Sequence, residues 1–379
     1  MDNLKDSKDS MVKYIIGASR VKYDVLFDIY HGIDLSPYRM AVMYIDAYSI
    51  FSRLYRYSNI SNIYQGDLDE LVKDLVVGFM NVLGHYRRFM ATRLGLSNDI
   101  YVFFNKYQPS YHKSLIESYG YSLEKRYSVN DVEYGFINQG IEKAYPFIMQ
   151  LSTYYEGIYC INNQRIDSFA AMKHIGFKDD IFYTILTRNN YALQMLKDNV
   201  VMLYENRNKS FILNTKNAYS DGIQHKRRYK PKNELTVDLL PLIWTFSGMK
   251  SMDVPRIVYS NTEKTMVKHI DDMFGSGDVI PNISFDSFLE VYAQYIPLGN
   301  LRMQVDYPVL FKRYMAFNVD YACKALTNNE KMRIERNIID LFDEEELENI
   351  NQMLADQSID PYLIDSENLY MSAPPEYDI

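Results

Sequence analysis

Residues 38–56 read YRMAVMYIDAYSIFSRLYR. The apolar run Ala41–Ile45 has the pattern of a buried strand. Asp46 follows it at once, and the next residues have the spacing of a helix. A strand that ends in Asp and turns directly into a helix puts that carboxylate at the C-terminal edge of a parallel sheet, where the sites of α/β proteins lie. Asp at such a position is also a common helix cap. Both readings predict the same local fold.

Further segments fit the same scheme. DLDELVKDLVVGFMNVLGHYRRFMATRL (67–94) is a long amphipathic helix, and DIYVFFN (99–105) is a second strand ending in Asn105. EGIYCI (156–161) reads as a third strand, RIDSFAAMKHI (165–175) as a helix, and DIFYTILT (180–187) as a fourth strand followed by the helix-like NYALQML. VVMLY and SFILN (200–214) read as a hairpin, and 106–150 as helical or irregular with many Tyr and Lys. Residues 1–10 read as disordered, and 11–38 as helix with a break near Gly17. The alternation of strand and helix predicts an α/β fold, a largely parallel sheet flanked by helices. Four parts are expected: an N-terminal helical extension (1–37), the α/β core (38–220), a helical region (221–341) and an acidic extended tail (342–379). Asp46, Asn105 and Thr187 should share one edge of the sheet.

The chain has 379 residues and a net charge of −8, which is unevenly placed. Residues 342–379 hold eleven acids and no Lys or Arg; removing them from the 49 acids leaves 38 against 41 basic residues, a net of +3. A mildly basic body thus carries a strongly acidic tail. The densest positive run is HKRRYKPK (225–232), with Lys226, Arg227, Arg228, Lys230 and Lys232 around one Tyr, a composition suited to a phosphate backbone or to a solvated loop. Arg87, Arg88 and Arg93 add to that surface if they share its face. Two cysteines, Cys160 and Cys323, have no metal spacing and read as reduced core thiols. The six histidines form no HxxxH or HExxH pattern, and there is no nucleophile motif or phosphate-binding Gly-rich loop. The polar start of the chain is unlike a signal peptide, and no apolar run approaches a membrane span.

Taken in order, these segments resemble the flap endonuclease and 5′–3′ exonuclease family, a PIN-like α/β nuclease with a helix–three-turn–helix DNA-binding region. YIDAYSIFSRLYR resembles the first strand with its metal-binding Asp, here Asp46. The second strand of that family ends in Asp, and here in Asn105. The family's Glu-Ala-Asp-Asp helix is matched by RIDSFAAM, with Arg165, Ile166, Asp167 and Ser168. Its Gly-Asp-x-Asp-x-x-Gln is matched by Arg188, Asn189, Asn190, Tyr191, Ala192, Leu193 and Gln194. Its Gly-Asp-x-x-Asp-Asn-x-Pro loop is matched by Gly248 to Pro255, with Met249 and Met252 where the family has acids. SNTEKTMVKHI (260–270) resembles the turn and helix that grip duplex DNA, with Glu263, Lys264 and Thr265 in register and Ser260 and Thr262 in place of glycines. The resemblance covers about 38–275.

The family implied hydrolyses phosphodiesters with two Mg²⁺ about 4 Å apart, held by about seven acids. Mg²⁺ takes hard oxygen ligands in near-octahedral geometry, and a Met thioether is soft and neutral. Of the matched positions only Asp46 and Asp167 keep an acid; Asn105, Arg165, Ser168, Asn189, Tyr191, Met249 and Met252 do not. An ordinary turn with methionines facing a core would also account for 248–253. The expectation is therefore a protein with no catalytic residues, bound metal or cofactor. Its fold would serve as a structural or interaction component of a bacteriophage virion or assembly complex, working in the host cytoplasm or the virion. The phage source rests on the Tyr-, Asn- and Ile-rich composition, which fits an AT-rich genome. Protein partners would be met through Tyr-rich surfaces and the tail, with no membrane involved. The alternative is a DNA-binding pseudo-nuclease accessory to replication or packaging, contacting DNA through the 225–232 residues named above with Lys264 and Thr265. A residual 5′ nuclease comes third.

Overall fold

The computed structural model describes residues 32–56, 59–105, 131–153, 155–164, 166–206, 209–219, 231–233, 235–249, 256–257, 263–275, 285–286 and 307–339. Its centre is a six-stranded sheet of β1 (Met40–Asp46), β2 (Ser97–Asn105), β3 (Ile158–Gln164), β4 (Ile181–Leu186), β5 (Val200–Asn206) and β6 (Lys209–Leu213). The spatial order is β3-β2-β1-β4-β5-β6. The first five strands are parallel, and β6 closes one side as an antiparallel hairpin with β5. β1 lies in the middle, and six of its seven residues are buried. That is why it reads as an unbroken apolar run rather than an alternating one.

Alternation is nevertheless present, hidden in which core each residue enters. Ala41, Met43 and Ile45 join the core of one face, and Val42 and Tyr44 join the other. The first face is covered by α1 (Ala47–Phe51), α2 (Ile60–Ile63), α3 (Leu68–Phe89) and α4 (Asp131–Thr153). Asp67 starts α3 by accepting the amides of Asp69 and Glu70 at 3.1 and 3.0 Å. At Phe89 the helix widens into one π-helical turn, Met90–Leu94, which Gly95 ends at φ +66°. α3 and α4 approach closely where α4 has Gly140: a Cβ there would lie 2.6 Å from Leu71 Cδ2.

The second face is covered by α5 (Ser168–Ile175), a 3₁₀ turn at Asn190–Met195, α6 (Leu240–Ser247), α7 (Glu263–Gly275), α8 (Tyr307–Phe317), α9 (Val319–Lys324) and α10 (Asn328–Ile339). Trp244, the only tryptophan, is fully buried in this core. Among the described residues no helix is long and apolar enough to cross a membrane.

Several expectations are corrected. Residues 32–38 are not helical: Gly32 has φ +91°, and Ser36 donates its amide and hydroxyl to Asp34, closing a turn before Pro37. The expected helix at 165–175 starts at Ser168, because Asp167 takes the cap position. Arg87 is fully buried, close to Asp99 and Glu156, and so lies on no DNA-facing surface. Arg88 is exposed. Residues 1–31 and the tail from 340 lie outside the described residues.

Candidate functional site at the sheet edge

Parallel strands bring their C-terminal ends to one edge. Asp46 is level with Phe103 of β2, Asn105 stands two residues further along β2, and Thr187 directly follows β4. All three lie at the edge the sequence predicts. Asn105 pairs in register with Gln164, the last residue of β3.

Asp46 occupies the N-cap position of α1 but makes no side-chain capping hydrogen bond. The amides of Tyr48 and Ser49 in the first turn still favour its charge, so the capping position is kept with no short amide contact. Its Oδ2 accepts instead from Ser49 Oγ at 2.6 Å and Thr187 Oγ1 at 3.0 Å, and the two hydroxyl oxygens are 2.9 Å apart. Asp46 is only 5% exposed. Burial raises its pKa, and the hydroxyls of Ser49 and Thr187 oppose that rise. Tyr145 of α4 lies close by: its hydroxyl is pushed up by burial and then by the Asp46 charge.

Asp167 stands before α5 and accepts the amides of Phe169 and Ala170 at 2.9 and 3.0 Å. Burial pushes its pKa up to about 6; the two amides hold it down, and the Asp46 carboxylate adds repulsion. The two acids thus sense one another at one edge.

The other candidate positions pack or cap. Asn189 accepts the Tyr191 amide at 3.1 Å and caps the 3₁₀ turn. The Tyr191 ring is fully buried, edge-on to Phe169 and 6.4 Å from Trp244. Met249 is 1% exposed and packs in the same apolar core. Ser168 is buried in the first turn of α5. Arg165 and Met252 lie outside the described residues.

Gln194 turns out to be structural. Its Nε2 donates to the Tyr191 carbonyl at 3.3 Å, and its Oε1 accepts the amide of Val319, the first residue of α9, at 3.2 Å. A contact between residues 125 apart has no sequence signal. The same holds for Asp271 in α7, which is 1% exposed and accepts the amides of Lys232 and Asn233 at 2.8 and 2.9 Å. Lys232 is therefore tied to the later turns of α7, whereas Lys264 and Thr265 lie in its first turn, about 10 Å away along the axis. Lys226, Arg227, Arg228 and Lys230 lie outside the described residues.

Mg²⁺ needs several hard oxygen donors facing one point. Among the described residues, two carboxylates, one bonded by hydroxyls and one spent on a cap, beside the buried Tyr145 phenol, do not fit a two-metal cluster. Among the described residues no three of His, Cys, Asp or Glu converge.

No family model and no curated protein matches the chain. Solved structures do. A zinc-bound T5 5′-exonuclease matches at 10% identity over 84% of this chain and 99% of that one, with TM-score 0.42. A pseudo-enzyme–product complex of the bacteriophage T5 flap endonuclease with DNA and metal ions matches at 11% identity over 84% and 100%, with TM-score 0.39. The chain is similar to these solved flap endonuclease and 5′-exonuclease structures over most of its length.

Proposed function

We propose that this chain is a flap-endonuclease-like protein that has lost phosphodiester hydrolysis and keeps the fold as a structural and interaction component of a phage virion or assembly complex. One observation carries the loss of chemistry. Positions that resemble metal ligands have become packing and capping groups. Tyr191 and Met249 are core residues, Asn189 and Asp167 accept backbone amides, and Asp46 is sealed by two hydroxyls. Inserting Mg²⁺ would mean breaking those contacts and recruiting neutral or apolar side chains as ligands.

The scaffold role is supported by the sequence. The framework residues Gly248, Pro255 and Gln194 stay while ligands are lost at several separate positions. The acidic tail mixes charge with apolar anchors such as Leu354, Tyr362, Leu363 and Tyr370, a mixture suited to lying along a protein partner.

Purified protein is expected to leave flap, nicked and 5′-ended duplex DNA intact with Mg²⁺ or Mn²⁺. Cleavage that disappears in Asp46→Ala would overturn the loss of hydrolysis. Isolation from the native source should yield a complex with other proteins; a lone monomer would end the scaffold reading.

A second reading is a non-cleaving DNA-binding accessory. The exposed Lys264 and Lys268, one helical turn apart on α7, favour it, with Lys232 exposed near the later turns. Its test is salt dependence: replacing Lys232, Lys264 and Lys268 by Ala should flatten the slope of log affinity against log salt.

A further inference from the structure

We infer that Asp46 is the anchor of a hydrogen-bonded chain that crosses the sheet edge and holds the start of α9 in place. The acid that resembles a metal ligand has become a positioning residue for that helix.

The chain can be followed group by group. Asp46, Ser49 and Thr187 form a triangle of oxygens no more than 3.0 Å apart. Three edges share two hydroxyl protons, and an ionised Asp46 draws both. That orients the hydroxyl lone pairs outward. Ser49 Oγ then accepts the Arg188 amide, and Thr187 Oγ1 accepts the Asn189 amide, both at 3.1 Å. These bonds set the turn after β4. Asn189 passes the constraint to the Tyr191 amide at 3.1 Å. Gln194 bridges the Tyr191 carbonyl and the Val319 amide.

Each link is in or beside a buried core, where a lost partner is costly. Thr187 is 0% exposed and Gln194 is 9% exposed. Val319 and Phe317 enter the same core as Tyr191 and Trp244, so the last link sits on packed apolar surface. On the outside, Lys173 and His174 of α5 pair with Asp320 and Glu335 at 2.9 Å each. Those pairs are half-exposed on the α9 and α10 side, where screening keeps their contribution small. The buried chain adds a directional connection between the sheet edge and α9 to the packing of α5 against it.

This inference rests on Asp46 serving no metal, and its test separates the two ideas. Hydrogen exchange is followed on the full-length protein and on Asp46→Ala, Asp46→Asn, Thr187→Val and Gln194→Met. Asp46→Ala should raise exchange about tenfold in peptides over 187–196 and 319–326 and leave α3 unchanged. Asp46→Asn should stay near wild type, because its amide oxygen still accepts the hydroxyls. Thr187→Val should loosen both segments, and Gln194→Met should loosen 319–326 while sparing 44–50. If Asp46→Ala does not fold, the Thr187 and Gln194 variants decide alone. Unchanged exchange at 319–326 in Thr187→Val and Gln194→Met, or an Asn variant as loose as the Ala variant, overturns the inference. Protection of 44–50 by Mg²⁺ in the wild type, lost in Asp46→Asn, would refute the absence of a metal role and the anchor role with it. DNA cleavage without such protection would refute only the loss of hydrolysis.

Discussion

Asp167→Asn removes a charge and keeps a cap, and so should stabilise the protein at neutral pH. The Asn oxygen can still accept the amides of Phe169 and Ala170. In the wild type, burial lifts the carboxyl from 3.8 to about 6. A raised carboxyl favours the protonated form in the folded state. Its contribution to stability is therefore full below pH 3.8 and is lost as pH rises through about 6. A change of that size corresponds to about 3 kcal/mol against the ionised form. Asp167 keeps part of its surface open to water, so screening brings the expected gain down to about 1–2 kcal/mol at pH 7. The gain should vanish near pH 4. Urea denaturation followed by the fluorescence of Trp244, the only tryptophan and fully buried, reads it directly. An Asn variant less stable than wild type at pH 7, or a difference that does not depend on pH, would refute the reasoning. A loss seen only with Mg²⁺ present would show that Asp167 holds a cation.

Gly157→Ala should cost more than about 2 kcal/mol by thermal denaturation, because the residue has φ +78° and its Cβ would lie 2.7 Å from Asp99 Oδ1 and 2.8 Å from Arg87 Nη2. Gly140→Ala sets a helix-propensity gain of about 1 kcal/mol against overpacking of about 1–3 kcal/mol, and the 2.6 Å approach to fully buried Leu71 lets overpacking win. Tyr191→Asp should destabilise by more than about 4 kcal/mol through a cavity and a buried charge, with no rescue of the melting temperature by Mg²⁺. Asp180→Ala should leave the urea denaturation midpoint nearly unchanged, since its pair with Arg39 is more than half exposed on both sides.

Strands were legible where burial on both faces leaves an apolar run, as in β1 and β4. They were less so where pairing overrides composition. β3 was expected at 156–161 and lies at 158–164: Gly157 turns the chain into it, and polar Asn162 to Gln164 stay extended because β2 lies alongside. At the site, the sequence order of the motifs located Asp46, Asn105 and Thr187 on one edge. It did not disclose that Thr187, 141 residues away, would donate its hydroxyl to the Asp46 carboxylate. A cap is a local event and can be read from neighbours; the choice between a cap and a distant hydroxyl is made by tertiary packing. Arg87 misled for the same reason: its charge predicts a surface, and Asp99 and Glu156 make a buried position tolerable.

The central place of β1 has a consequence for biosynthesis. Its second neighbour, β4, pairs Ile181 with Met40, so one side of β1 has no strand beside it until 141 further residues have been added. At about 5–20 residues per second, that side stays open on the ribosome for roughly 7–30 s after β1 emerges. Meanwhile the half-sheet β3-β2-β1 offers a bare row of amides and carbonyls, and on one face Tyr44, Tyr101 and Tyr159, level in register, await the helices that follow. Such a nascent edge invites pairing between chains on neighbouring ribosomes. Slower initiation or a lower growth temperature should therefore raise the soluble yield more than any change to the finished protein's surface.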